Sequence, residues 1–367
     1  MKRLLIGAAL AIAFQTRAAD LPQSKVEGIE RLVGAYVASQ KIPGLSIAVV
    51  VDGKLKWANA YGYADLENKV VAKTTTRYRS ASIGKTMTAT AAMQLADAGT
   101  LDLNADIRNY CPAFPAKPWR ITTWNLLTHT SGIRHYGGPH DVQEQFSTVH
   151  YRDVSRALAP FKDDPLAFEP GTKWQYSTYG FDVLGCVVEG AAKVPFLTYM
   201  RDHVWLPAGM ALTRDDDPAA IVSDRAAKYT IVDGELVNAP AVDMSNRLPA
   251  GGYLTTAVDL ARFVETLFAG RLVRPETFAL MTTPAKLASG ETIGYGLGWG
   301  VETDAWHNDR WTFHGGSSPG ASGFLALMPK HRFAVVFLTN LENLTERSEL
   351  AEDIARLVLD FGPRKTQ

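Results

Sequence analysis

The strand-forming segments of this chain stand at its two ends, and that placement constrains its fold more than any other feature. Leu45 to Val51 and Leu55 to Tyr63 are apolar-rich runs joined by Asp52-Gly53-Lys54, and Asp-Gly between two such runs marks a hairpin. Strand character returns only late, at Trp311-Thr312-Phe313-His314, Gly323 to Met328 and Phe333 to Leu338. Residues 100 to about 290 are punctuated by Pro and Gly and rich in short helical patterns. The economical solution is one antiparallel sheet made from both ends of the chain. Helices flank it: Val26, Ile29, Leu32, Val33, Tyr36 and Val37 recur at helical spacing, as do Leu350, Ile354 and Leu357. The expected class is α/β, with residues 19–105 and 290–367 forming a discontinuous α/β lobe and 106–289 a mostly helical one. A crevice between two such lobes favours ligands.

Composition excludes several classes. The chain has 367 residues, 46% hydrophobic and 21% charged, enough for a large core and unlike a disordered or collagen-like chain. Lys+Arg and Asp+Glu both number 38, so no basic excess exists to hold a phosphate backbone, and nucleic acid is not expected as a partner. Lys2 and Arg3 precede an apolar run, Leu4 to Phe14, too short to span a bilayer. Thr16-Arg17-Ala18 then completes a signal-peptide pattern over residues 1–18. Cleavage after Ala18 leaves a net charge of −3 and no transmembrane anchor, and predicts a periplasmic or secreted protein. Cys111 and Cys186 are the only cysteines. Export would permit a bond between them, but the pattern favours two unlinked buried thiols.

The sharpest chemical signal is Ser82-Ile83-Gly84-Lys85, at the start of a helical pattern running to about Ala98. Ser and Lys three apart share a helix face. A Lys in a partly dry cleft loses proton affinity and can exchange a proton with a neighbouring hydroxyl. By itself the pattern is weak, since Ser at a helix start is usually a cap. Two decoys fail. Gly84-Lys85-Thr86 ends like a phosphate loop, yet Arg79 stands where that loop needs Gly. Gly316-Ser317-Ser318-Pro319-Gly320 matches a nucleophile elbow, but no strand-to-helix turn and no acid-then-His follow Ser318. Support for Ser82 lies elsewhere. Tyr176-Ser177-Thr178 precedes a buried helical run and offers a phenol for proton transfer. Phe313-His314-Gly315-Gly316-Ser317 ends a strand, where glycines let a substrate backbone approach.

The order Ser82-x-x-Lys85, Tyr176-x-Thr178, His314-Gly315-Gly316 resembles the penicillin-recognising serine hydrolases: class C β-lactamases, D,D-peptidases and related esterases. Leu126-Leu127-Thr128-His129-Thr130-Ser131-Gly132, Ala250-Gly251-Gly252 and Tyr295-Gly296-Leu297-Gly298-Trp299 are similar to the class C-like branch, and Ser131-Gly132-Ile133-Arg134-His135-Tyr136 and Tyr176-Ser177-Thr178 resemble the mitochondrial serine β-lactamase-like proteins and their bacterial relatives. The resemblance covers nearly the whole chain after the signal. It implies a β-lactamase/transpeptidase-like fold and an acyl-enzyme on Ser82. Lys85 and Tyr176 would share acid–base work, and the N–H groups of Ser82 and Ser317 would form the oxyanion hole. Thr178, His314, Gly315 and Gly316 would meet substrate. Thr178 departs from the commoner Asn, which puts recognition of an acylamino group in doubt. His314 would help a substrate carboxylate only if protonated.

His129, His135 and His140 lack metal-ligand spacing: His129 reads as structural, the other two as loop residues, with no metal. Trp299 is the best candidate among the tryptophans for lining the cleft. The expected partner is a small molecule or peptide, with no cofactor, and self-association stays open. The expected function is an exported serine hydrolase cleaving amides or esters. The rival is a penicillin-binding sensor or self-assembling scaffold that acylates without turnover.

Overall fold

The computed structural model describes residues 21–137, 141–303 and 309–362; the signal segment and His140 lie outside them. Helix α1 spans Gln23–Ser39, and the hairpin forms where Asp-Gly places it, from β1 (Gly44–Val51) and β2 (Lys54–Asp65). A short β3 (Val70–Val71) follows. The C-terminal part adds β4 (Gly300–Thr303), β5 (Arg310–Ser318), β6 (Ala321–Met328) and β7 (Phe333–Thr339). They form one seven-stranded antiparallel sheet in the order β3-β2-β1-β7-β6-β5-β4. The two ends of the chain meet at β1–β7, with Leu45 opposite Thr339.

Both faces of the central strands are covered, which is why these strands read as continuous apolar runs rather than alternating ones. The period of two sorts their side chains into two cores. Leu45, Ile47, Val49, Val335 and Phe337 join a cluster with Ile29 and Val33 of α1 and Ile354 of the C-terminal helix Arg347–Val358. Ala48, Val50, Ala334, Val336 and Leu338 face the larger cluster. That cluster includes α2 (Gly84–Asp97), α3 (Thr178–Ala192) and α4 (Ala257–Phe268), the last resting on β1, β2 and β7. The Arg347–Val358 helix is α5. Thr256 caps α4 by accepting from the Asp259 N–H. Among the described residues, no single helix is long and apolar enough to cross a membrane.

One expectation is overturned here. Cys111 and Cys186 are joined in a disulfide across 75 residues, their Cα atoms 5.4 Å apart. Both are buried, as the hydrophobic pattern around them requires. Which buried thiol faces which is set by the docking of the loop at residue 111 onto α3, a contact no local pattern encodes.

Candidate active site

Ser82 sits in the single turn Ala81–Ile83 that leads into α2. The turn is forced. Ala81 adopts φ 45°, a left-handed conformation that costs energy for a residue with a side chain. Gly251 holds it there: a β-carbon on Gly251 would lie 1.8 Å from the Ala81 carbonyl oxygen, so only glycine fits. Ser80 is pinned as well, its N–H donating to the Tyr253 carbonyl and its hydroxyl to that of Gly251.

Lys85, one helical turn on, is fully buried. Its Nζ lies 3.1 Å from Ser82 Oγ, 3.0 Å from the Ala250 carbonyl oxygen and 3.4 Å from Thr178 Oγ1. Burial is the main cause that brings its pKa down to about 7; the charge of Arg247 adds to this and Asp182 opposes it. Tyr176 lines the cleft with Ser82, and Lys85 Nζ stands 5.0 Å from its ring centroid. Burial pushes the Tyr176 phenol above its ordinary range, with nearby Ser82 pulling the other way, so it remains protonated in neutral water.

The segment that carries Tyr176 is held by two imidazoles from one loop. His129 Nδ1 accepts the Ser177 N–H and His135 Nδ1 accepts the Thr178 N–H. His129 also packs on the Tyr176 ring, centroids 4.4 Å apart. It is structural, as expected. His135 does more than the loop role read from sequence, since it also borders the cleft.

Strand β5 supplies the opposite wall. β4 pairs with it only as far as Phe313 opposite Gly300, while β6 stays paired to Ser318. From His314 to Ser318 one edge of β5 is therefore unpaired, and this stretch lines a cleft of about 650 Å³ with Ser82, Tyr176 and Thr178. The Ser317 hydroxyl donates to Asn343 Oδ1, which leaves its backbone as its offering to the cleft. Two cations, Arg79 buried and Arg347 half-buried, brace the strand. Arg347 donates to the Gly316 carbonyl at 2.6 Å, and Arg79, ion-paired with Asp216, donates to that of Pro319 at 2.7 Å.

A nucleophile-ready Ser, a buried Lys of lowered proton affinity and a protonated Tyr thus meet beside an unpaired strand edge. The beta-lactamase family model matches residues 29–360. The chain belongs to the beta-lactamase family. It is 28% identical to the mitochondrial serine beta-lactamase-like protein LACTB of Mus musculus, over 86% of this chain and 73% of that protein. It is 27% identical to protein flp of Staphylococcus aureus strain MW2, over 88% of this chain and 64% of that one. Its fold is that of the octameric penicillin-binding protein homologue from Pyrococcus abyssi, with TM-score 0.79 and 24% identity over 92% of this chain and 78% of that chain. The D-stereospecific amidohydrolase from Streptomyces sp. shares it too, with TM-score 0.72 and 22% identity over 90% and 97%.

Within this beta-lactamase-family site, Ser82, Lys85, Tyr176, Thr178, His314, Gly315, Gly316 and Ser317 come together as the sequence places them. Trp299 does not. The Gly296 N–H donates to the Trp299 carbonyl and closes a tight turn that sends Tyr295 to the cleft and Trp299 into the core, fully buried. Trp174 lines the cleft instead, 44% exposed. The signal for it was present: in an extended run, Trp174 and Tyr176 two apart point the same way. His314 also departs from expectation. Burial, then the Lys85 charge, lowers its pKa to about 3. The neutral ring donates from Nδ1 to the Gly315 carbonyl and accepts at Nε2 from the Tyr295 hydroxyl, so no ring nitrogen is left for a substrate carboxylate. The cleft's cations are Arg247 and Arg347, which no local motif announces.

Proposed function

We propose that this protein is an exported serine hydrolase of the class C-like type that cleaves amide or ester bonds through an acyl-enzyme on Ser82. The arrangement of partners around Lys85 Nζ carries this reading. The Ala250 carbonyl and the Thr178 hydroxyl can take two N–H bonds, and Ser82 Oγ occupies the third direction. With its pKa near 7, the amine is about half free base in neutral water. Its lone pair then faces Ser82 and takes the hydroxyl proton as Oγ attacks the substrate carbonyl. Tyr176, held protonated, hands a proton to the departing nitrogen or oxygen. The N–H groups of Ser82 and Ser317 receive the oxyanion, each contributing about 3 kcal/mol to the transition state. Water then hydrolyses the ester and restores Ser82. No metal or organic cofactor enters this scheme.

The first substrate class is a small peptide or peptidoglycan-like amide, followed by β-lactams and short-chain esters. Export is supported by Lys2-Arg3, the apolar run before Ala18, and a disulfide of the kind that persists in oxidising compartments. The exported protein then begins at Ala19 or Asp20.

Intact-mass spectrometry with a fluorophosphonate and a labelled penicillin tests the reading. One adduct forms on Ser82, and Ser82→Ala removes it with the melting temperature nearly unchanged. Label that persists in Ser82→Ala, or maps to Ser318, overturns it. Steady-state turnover of an ester separates an enzyme from a sensor that stops after one equivalent.

A further inference from the structure

We infer that the water that hydrolyses the acyl-enzyme is bound in a second, smaller cavity behind Ser82, held by the Ser318 and Tyr136 hydroxyls, and that Lys85 rather than Tyr176 takes its proton. This rests on the acyl-enzyme reading above and extends it to the second half-reaction.

Ser82 lies between two cavities. The large cleft is lined by Tyr176 and not by Lys85; the small one, about 40 Å³, is lined by Lys85 and not by Tyr176. Both share Ser82, Tyr136, Thr178, Arg247, Ser317 and Ser318, so the small cavity is a recess that opens beside the cleft. The two proton-carrying side chains thus border different parts of the space around Ser82. Tyr176 faces the space where a leaving group departs. Lys85 faces a space that holds a water or two and is too small for an organic acceptor.

A bound water needs two to four polar partners. The cavity supplies them as buried groups with unused capacity. Among the described residues, Ser318 Oγ is buried without a hydrogen-bond partner. The Tyr136 hydroxyl, beside Thr178, is buried and takes no well-formed hydrogen bond. Such groups cost stability unless a ligand satisfies them. Tyr136 is also fixed in place: the Arg247 guanidinium stacks 5.0 Å from its ring centroid and is itself anchored on the Glu144 and Gln145 carbonyls. Ser318 is the residue whose Gly-x-Ser-x-Gly setting imitates a nucleophile elbow. Here it follows Ser317 on the same strand end, and its hydroxyl binds the second nucleophile instead of being the first.

Acylation leaves a Lys85 ammonium and a Tyr176 phenolate; before the second half-reaction the ammonium gives up its proton and the phenolate regains one through water, so Lys85 enters deacylation as the free amine. The water oxygen bonds to the acyl carbon while one of its protons passes to the Lys85 amine. The oxyanion rests on the Ser82 and Ser317 N–H groups. On collapse the carbon–Oγ bond breaks, Oγ recovers the proton from the Lys85 ammonium, and the acid leaves.

Burst kinetics with p-nitrophenyl acetate, with the acyl-enzyme followed by intact mass, test this in Ser318→Ala, Ser318→Val and Tyr136→Phe. The first and third variants remove a water ligand, and the second fills the cavity. The expected result is a nitrophenol burst of one equivalent at close to the wild-type rate, then a steady phase slower by about ten- to a hundredfold, with acyl-enzyme accumulating. If Ser318→Val lowers the melting temperature, the two smaller changes decide. Decay of the acyl-enzyme at the wild-type rate in Ser318→Ala and Tyr136→Phe overturns the water site. Loss of burst and steady phases in equal proportion overturns it too, because that marks a structural role. A wild-type protein that never acylates on Ser82 fails at the earlier reading, which the burst amplitude distinguishes.

Discussion

Gly316 passes Ser82 so closely that a β-carbon on Gly316 would lie 3.1 Å from the Ser82 amide nitrogen and 2.9 Å from the Ser80 carbonyl oxygen. The absence of a side chain there lets the unpaired edge of β5 lie against the nucleophile's own backbone, so that N–H groups from two distant chain segments can converge on one oxygen. Gly316→Ala must push β5 away. The expected loss is about 10²–10³ in kcat, comparable to removing one oxyanion donor, with a folded protein by circular dichroism. Activity within twofold of wild type would show that β5 supplies no donor.

The pH dependence follows from Lys85. Its pKa is lowered to about 7, so the amine is protonated below that value and free above it. A base must be free to act, so kcat/KM for an ester rises with pH through about 7 and then levels. His314, at about 3, adds no limb in this window. Tyr176→Phe lowers turnover by about 10²–10⁴, more for an amide than for a nitrophenyl ester, whose leaving group needs no proton. A profile flat from about pH 5.5 to 8.5 would remove Lys85 as the base.

Thr178 lines the cleft, and its hydroxyl is already within 3.4 Å of Lys85 Nζ. One hydroxyl so engaged does not replace an amide that both donates and accepts. Weak turnover of acylamino β-lactams is expected, with simple esters less affected. Thr178→Asn raises kcat/KM for a cephalosporin more than for a nitrophenyl ester, by roughly one to two orders of magnitude. Equal changes for both substrates, or an efficient native β-lactamase, would count against Thr178 as the limit.

The disulfide closes a loop of 75 residues that joins the Cys111 loop to α3, the helix that begins at Thr178. Replacing both cysteines by Ala costs roughly 2–4 kcal/mol in urea unfolding. The Ser82 label stays, because neither sulfur touches the site. A double variant as stable as wild type would show that packing alone holds the loop.

Much of the fold was legible because it is local. Periods of 3.6 and 2, the Asp-Gly hairpin and the Thr256 cap each act over a few residues, and each element lies near its expected place. Strand ends were less so: β5 runs on to Ser318, beyond the apolar residues that mark it, because its glycines and serines are held by β6 rather than by their own propensity.

The sequence by itself determined the chemical vocabulary of the site. Ser82 and Lys85 are three apart on a turn, and Tyr176, His314-Gly315-Gly316 and the family they resemble follow from residue order alone. Only the tertiary structure decided which groups face one another. It joined the cysteines, turned Trp299 into the core and put Trp174 in the cleft. It kept His314 neutral with both ring nitrogens engaged, and it brought Lys85 and Tyr176 together at Ser82. Each of these depends on contacts between segments far apart in the chain and on burial from all sides. Burial is also what brings the Lys85 amine near neutrality and holds the Tyr176 phenol protonated.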